Sequence, residues 1–288
     1  MSVFTIIHPD TAELRWTTLQ HAGKELGLIA SGSRSLPADT FTLLPLGPQI
    51  HKTPDFMEAV KDVIKQSGAK RHILVLPDAW MKSFVLGVEA LPRRTRELRD
   101  LVGWHLKKAF LIKPEDVRFA WNSLGNGQSG LPRRLFVTFA FERLISAFEE
   151  VYAAERIRLG LILSSFWAVY HGVSREGAWA LLVQEGDQWT FGVFQGDRLE
   201  TFRQRRLLHD PPEAVADELA RTLALSETVP ERLMVYQNPI AEPLSLPSSQ
   251  IAILSAASRE GIRPGKDGLP PFWNPEGEIY CGGLRALP

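Results

Sequence analysis

"AWALLVQEGDQWTFGVFQGDRLETFRQ", residues 178–204, packs three strand-like runs into one short stretch. Ala178–Gln184, Trp189–Phe194 and Arg198–Arg203 are rich in the aromatic and branched residues that pleated strands favour. Gly186-Asp187 reads as the tight turn between the first two. Pro211–Leu225 then reads as a helix, with proline in the first turn where a missing N–H costs little. The strand "ERLMVY" (231–236) follows, so the order over 178–236 is strand, strand, strand, helix, strand.

The same order stands near the start of the chain. Val3–Ile7, Ala12–Leu19 and Leu26–Ser31 read as a meander, followed by a polar connection over Gly32–Thr53. Asp55–Gln66 carries Phe56, Ala59, Val60, Val63 and Ile64 at helical spacing, with Gly68 as a stop. "RHILVLPD" (71–78) is an apolar strand ended by Pro77. Duplicated βββαβ units, near 3–76 and 178–236, mark a two-lobed, α/β, ribonuclease H-like or actin-like fold. Between them lie a strand "KSFVLGV" (82–88), a helix Arg93–Phe110, and strands "EDVRFAW" and "RLFVTFAF" flanking the loop "GNGQSG" (125–130). Glu142–Ala154 reads as a helix, Arg158–Leu163 as a strand and Ser165–His171 as a short helix. Past 236, a short strand is expected at Ile251–Leu254 and a last short helix at Glu278–Leu287.

Composition narrows the function classes. Lys+Arg and Asp+Glu both count 33 in 288 residues, so no global field draws nucleic acid or an anionic membrane to the chain. Cys281 is the one cysteine, which removes intramolecular disulfides and cysteine metal clusters and favours a reducing compartment. "MSVFTIIHPD" lacks a basic n-region and breaks its apolar run, so it does not read as a signal peptide. No run approaches the eighteen or so apolar residues of a membrane helix. The expected location is cytoplasmic.

The segment from Ile73 to Trp121 resembles the equivalent stretch of the type IV pilus assembly protein PilM, and is similar to the cytoplasmic part of the type II secretion L protein. The resemblance rests on Leu76-Pro77-Asp78, Trp104, Phe110, Glu115-Asp116-Val117 and Trp121, and continues in order and pattern to about residue 236. It implies an actin-like fold with a first lobe at 1–174, an extra subdomain inserted at about 72–155, and a reduced second lobe at 175–288. It also implies a partner, the cytoplasmic N-terminal tail of a bitopic PilN-type inner-membrane protein. Trp104, Leu106, Phe110 and Trp121 are the candidate residues for holding that tail, although each by itself reads more simply as a core residue. The motor ATPase is a further implied partner, and the place of work is the cytoplasmic face of the inner membrane, reached only through partners.

An actin-like ATPase needs glycine and small hydroxyl residues in two phosphate hairpins and a carboxylate for Mg²⁺. The first hairpin here is His8-Pro9-Asp10-Thr11-Ala12, which has no glycine and loses one donor to proline. Asp10 after proline reads as a residue that caps its own turn. The second has Gln184 where the resemblance asks for aspartate, then Glu185-Gly186-Asp187 and the bulky Trp189. Gln237-Asn238-Pro239 stands where an adenine-binding glycine pair belongs. These departures give a degenerate site and a scaffold without cofactor. The alternative is an active ATPase holding ATP and Mg²⁺ through Asp10, Thr11, Gly186 and Asp187, or a filament-forming relative.

Other patterns carry less. "GNGQSG" lacks the Lys-Ser/Thr ending of a P-loop and reads as a loose hairpin tip. The seven histidines show no metal-ligand spacing, and no nucleophile elbow precedes a helix. The basic runs "PRRTRELR" (92–99) and "RQRRLLH" (203–209) suit phospholipid head groups or an acidic partner, with a solvated surface as the blander reading.

Overall fold

The computed structural model of the chain describes residues 2–22, 25–124, 133–173, 176–207, 212–238, 252–255 and 262–263. The "GNGQSG" loop, Pro239, Cys281 and the helix expected at 278–287 lie outside the described residues.

The first lobe opens with an antiparallel meander, β1 (Ser2–Pro9), β2 (Glu13–Ala22) and β3 (Glu25–Ser35). The stretch expected to be a plain connection instead extends β3 and folds a hairpin, β4 (Phe41–Leu44) with β5 (Gly47–Ile50). Its strands are too short for alternation to announce them. Packing decides: Phe41 meets Phe56 at 5.2 Å and Trp80 at 4.7 Å between ring centroids. Helix α1 (Thr53–Ser67) buries the five apolar residues expected of it and ends at Gly68.

β6 (Arg71–Leu76) then enters parallel to β1. Its apolar run is unbroken because both faces are covered, as in parallel sheets generally. Ile73 and Val75 face one core, and Leu74 and Leu76 the other, under α1. β7 (Lys82–Val88), α2 (Thr95–Phe110), β8 (Val117–Leu124) and β9 (Arg133–Phe141) follow. These strands form a separate antiparallel sheet in the order β7-β9-β8, with its own small core around Val102, Leu106, Leu135 and Val137. Helix α3 (Glu142–Ala154) packs Leu144 and Phe148 into the core that α1 covers, and β10 (Arg158–Ser164) pairs parallel to β6. The separate sheet is therefore inserted between two neighbouring strands of the first lobe.

After α4 (Ser165–Gly172) the second lobe repeats the plan. β11 (Ala178–Glu185), β12 (Gln188–Gln195) and β13 (Arg198–Arg206) form the meander; α5 (Pro212–Ala224), β14 (Arg232–Asn238) and β15 (Ala252–Ser255) complete it. The order is β13-β12-β11-β14-β15, matching β3-β2-β1-β6-β10 in the first lobe. A last strand, β16 (Ile262–Arg263), returns to lie parallel beside β3.

The lobes share one core. Phe166, Val169 and Tyr170 of α4 join Ile6 and Val75 of the first sheet to Trp179 and Val183 of the second. Alternation along β11 explains the division: Trp179, Leu181 and Val183 face α4, while Ala180 and Leu182 face α5.

Candidate functional site

The duplicated plan brings the β1–β2 and β11–β12 turns to the boundary between the lobes. Asp10 is spent on its own turn: Oδ1 accepts from the amides of Ala12 (2.6 Å) and Glu13 (3.2 Å), and Oδ2 lies 3.3 Å from Arg15. Thr11 is exposed at the bend. In the second hairpin, Gly186 and Asp187 are the two turn residues, and Gly186 takes φ 58, where a Cβ would be strained. Asp187 Oδ2 accepts from Arg206 Nε at 2.7 Å. Among the described residues, Asp10 and Asp187 are thus engaged within their own lobes.

The residue that crosses is Glu185, one position before the turn. Its Oε2 accepts from the backbone amide of Asp78 at 2.8 Å, its Oε1 accepts from Ser165 Oγ at 2.7 Å, and His8 Nε2 lies 3.3 Å from Oε1. All three partners belong to the first lobe or to the start of α4. Gln204 of β13 makes a second crossing. Its amide donates to the carbonyls of Asp78 (2.7 Å) and Met81 (3.0 Å), and its oxygen accepts from the Ser83 amide (3.1 Å). Lys82 Nζ adds a contact to Gln188 Oε1 at 3.3 Å. The second lobe therefore holds residues 78–83, the neck that leads into the inserted sheet. In the sequence Glu185 reads as a turn neighbour, and nothing local announces Gln204. The only signal was a carboxylate beside a turn and a proline-aspartate pair closing an apolar strand.

Asp78 is an unusual carboxyl. Burial, with the Glu185 carboxylate close by, pushes it up to about 7; the hydrogen bond from the Phe166 amide works the other way. Its Oδ2 is buried with no hydrogen-bond partner among the described residues. Burial likewise holds the Lys82 ammonium below its ordinary range, with Asp78 opposing the shift. Where an adenine-binding glycine pair would belong, Gln237 donates to Gln184 Oε1 at 2.8 Å, and Gln184 donates to the Gly186 carbonyl at 3.2 Å. Among the described residues, no three His, Cys, Asp or Glu side chains converge as metal ligands.

A second site lies between the inserted sheet and the first lobe. It is a cavity of 540 Å³ bounded by β8, β9, α3, β10 and α4. Among the described residues, β8 and β10 are each the outer strand of their sheet, so both turn a strand edge to its rim. Phe136, Ile145, Leu161 and Trp167 supply apolar walls. Arg118 of β8 ties the sheet to α3, donating to Glu142 at 2.6 and 2.9 Å and to Glu149 at 3.1 and 3.2 Å. These bonds hold the guanidinium above, and the Glu142 carboxyl below, their ordinary ranges.

The four aromatic and aliphatic residues marked for partner binding do not form one surface. Trp121 lines the cavity. Leu106 is fully buried in the inserted core. Phe110 packs on Phe84 and Phe139 with centroids 5.1 and 5.2 Å away. Trp104 is exposed on α2 and is not among the cavity's walls. Leu106 and Phe110 obey the helical period of α2, which turns them toward the sheet.

No known protein-family profile matches the sequence, and no curated protein sequence matches it. Solved structures do resemble it. One, of a PilM–PilN type IV pilus biogenesis complex, aligns with a TM-score of 0.72 at 12% identity, covering 99% of this chain and 98% of that one. The cytoplasmic domain of EpsL, an inner-membrane component of the Vibrio cholerae type II secretion system, gives 0.59 at 16% identity, covering 99% and 95%. A Bacteroides thetaiotaomicron protein described as having an actin-like ATPase fold and unknown function gives 0.50 at 13% identity, covering 88% and 91%. With its duplicated strand order and its inserted sheet, this chain has the actin-like ATPase fold.

Proposed function

We propose that this chain is an adaptor of a type IV pilus or type II secretion-like assembly platform, and that the cavity between β8 and β10 receives an extended tail of a bitopic inner-membrane partner of PilN type. The observation that carries the reading is that, among the described residues, two outer strands edge one apolar cavity. An extended peptide gains main-chain hydrogen bonds from such an edge and places alternate side chains in pockets. The strands are long enough for roughly five to seven peptide residues. Trp121 is the residue of the original four that stands where a tail would touch it. Contact with the motor ATPase, and a station at the cytoplasmic face of the inner membrane, belong to the same reading.

The adaptor works without nucleotide chemistry. Glu185 and Gln204 already join the lobes where an actin-like enzyme would close around phosphates, and Asp10, Gln184 and Gln237 are engaged in bonds of their own. Calorimetric titration with a synthetic N-terminal cytoplasmic tail of a bitopic PilN-type protein is the test. Saturable binding is expected, and no heat from folded protein would contradict the adaptor reading. Added ATP and Mg²⁺ are expected to leave the melting temperature unchanged; a rise would favour the ATPase alternative, since a ligand of the native state must stabilise it.

A further inference from the structure

The outward side of α2 carries features that its packing does not explain. Residues 93–113 hold seven Lys and Arg against Glu97 and Asp100, in a chain whose formal net charge is zero. All seven cations are exposed. Lys107, Lys108 and Lys113 surround the C-terminal end of the helix, and among the described residues Lys107 and Lys113 make no ion pair. Glu115 and Asp116 follow only in the next turn.

Two large apolar side chains share that end. Trp104 is 53% exposed, with the Lys108 ammonium 4.6 Å from its ring centroid, and Leu111 is 89% exposed. Leu111 also closes the helix in the left-handed conformation, φ 57 and ψ 27. That conformation is unfavourable for a residue with a Cβ, and glycine is the usual choice there. A leucine is therefore kept at a strained position where its side chain touches almost nothing. Val102 and Leu106 bury the opposite face of α2 on the inserted sheet, so this end of the helix is presented to solvent.

We propose that the C-terminal end of α2 docks on an anionic lipid surface. Trp104 and Leu111 enter the boundary between head groups and acyl chains, and Lys107, Lys108 and Lys113 meet lipid phosphates. A water–lipid boundary is where an indole, an exposed aliphatic group and flanking lysines are all accommodated together. An acidic protein segment would use the lysines and leave the strained, exposed leucine without a purpose. Each lysine near such a surface is worth about fivefold in binding. The contact is thus weak and salt-sensitive, suited to orient a protein that something else tethers. It does not depend on the tail-binding reading, because neither Trp104 nor Leu111 lines that cavity.

The test is co-flotation of the full chain with vesicles of phosphatidylcholine alone and of phosphatidylcholine with phosphatidylglycerol. Binding is expected only to the anionic vesicles, falling as salt rises. Lys107→Glu with Lys108→Glu is expected to weaken it by tenfold or more, and Trp104→Ala severalfold. Leu111→Gly separates function from fold: it is expected to weaken vesicle binding while raising the melting temperature, since glycine relieves the left-handed backbone. Absence of wild-type binding to anionic vesicles overturns the proposal. So does vesicle binding that Trp104→Ala and Leu111→Gly leave unchanged while soluble polyglutamate competes for it, the pattern of a site for an acidic protein.

Discussion

Glu185 of the second lobe accepts the backbone amide of Asp78 at 2.8 Å, so one lobe holds the neck from which the inserted sheet of the other departs. The same carboxylate takes the Ser165 hydroxyl at the start of α4. It is only slightly exposed, and hydrogen bonds to a charged group in such a setting contribute more than neutral ones. Glu185→Ala is expected to lower the unfolding free energy by about 2–4 kcal/mol, because it leaves a buried amide without its acceptor. Glu185→Gln keeps one acceptor oxygen and is expected to lose less. Urea unfolding read by tryptophan fluorescence measures both; a near-neutral Glu185→Ala would show that the crossing carries no load.

The Asp78 carboxyl predicts a pH dependence of definite sign. Its value rises from an ordinary 3.8 to about 7, by burial and the nearby Glu185 carboxylate. Between about pH 4 and 7 the folded protein keeps a proton that the unfolded chain has released, so this group makes stability fall as pH rises through that window. His72 acts in the opposite sense. It is buried beside Tyr152 and Ser67, and burial lowers it to about 4. Below about pH 6.5 the unfolded chain takes up a proton that folded His72 refuses, so stability falls as pH drops. Asp78→Asn removes the first effect and keeps the second. Its stability relative to the wild type is expected to improve from about pH 5 to about pH 8. A difference that stays constant over that range would contradict the assignment.

Gly192 gives a packing test of the shared core. A Cβ there would stand 2.6 Å from Phe166 Cζ and 2.8 Å from Phe194 Cε2. Gly192→Ala is expected to destabilise by about 1–3 kcal/mol through overpacking. Phe166→Leu in the same chain should recover part of that loss, seen as a positive coupling in a double-mutant cycle.

Arg118 tests the rim of the cavity separately from the fold. Its side chain is 45% exposed, so Arg118→Ala is expected to change stability by less than about 1 kcal/mol. Loss of the bridge from β8 to α3 frees the rim strand, and tail affinity in calorimetry is expected to fall severalfold. Unchanged affinity would place the tail elsewhere.

The strand order was legible because both meanders are separated by turn residues and each is followed by an amphipathic helix and an apolar strand. The β4–β5 hairpin was not legible, since four-residue strands show no period and Phe41 is fixed by Phe56 and Trp80, distant in sequence. The two-residue β16 is set by an edge of β3 more than two hundred positions earlier. For the sites, local chemistry was readable and long-range pairing was not. Asp10 caps its own turn, as a carboxylate after proline should. Glu185 and Gln204 act on residues more than one hundred positions away, and nothing adjacent in the chain signals it. The family resemblance marks Trp104, Leu106 and Phe110 as a group, but the sheet beneath α2 decides which of them faces solvent.

Hydrogen–deuterium exchange with and without the partner's N-terminal tail decides whether the cavity between β8 and β10 is the tail site. Tail binding is expected to slow exchange in β8 and β10, whose outward amides would gain partners, with little change at the β1–β2 and β11–β12 turns. Protection confined to those turns, or absent from both outer strands while the tail is bound, would contradict it.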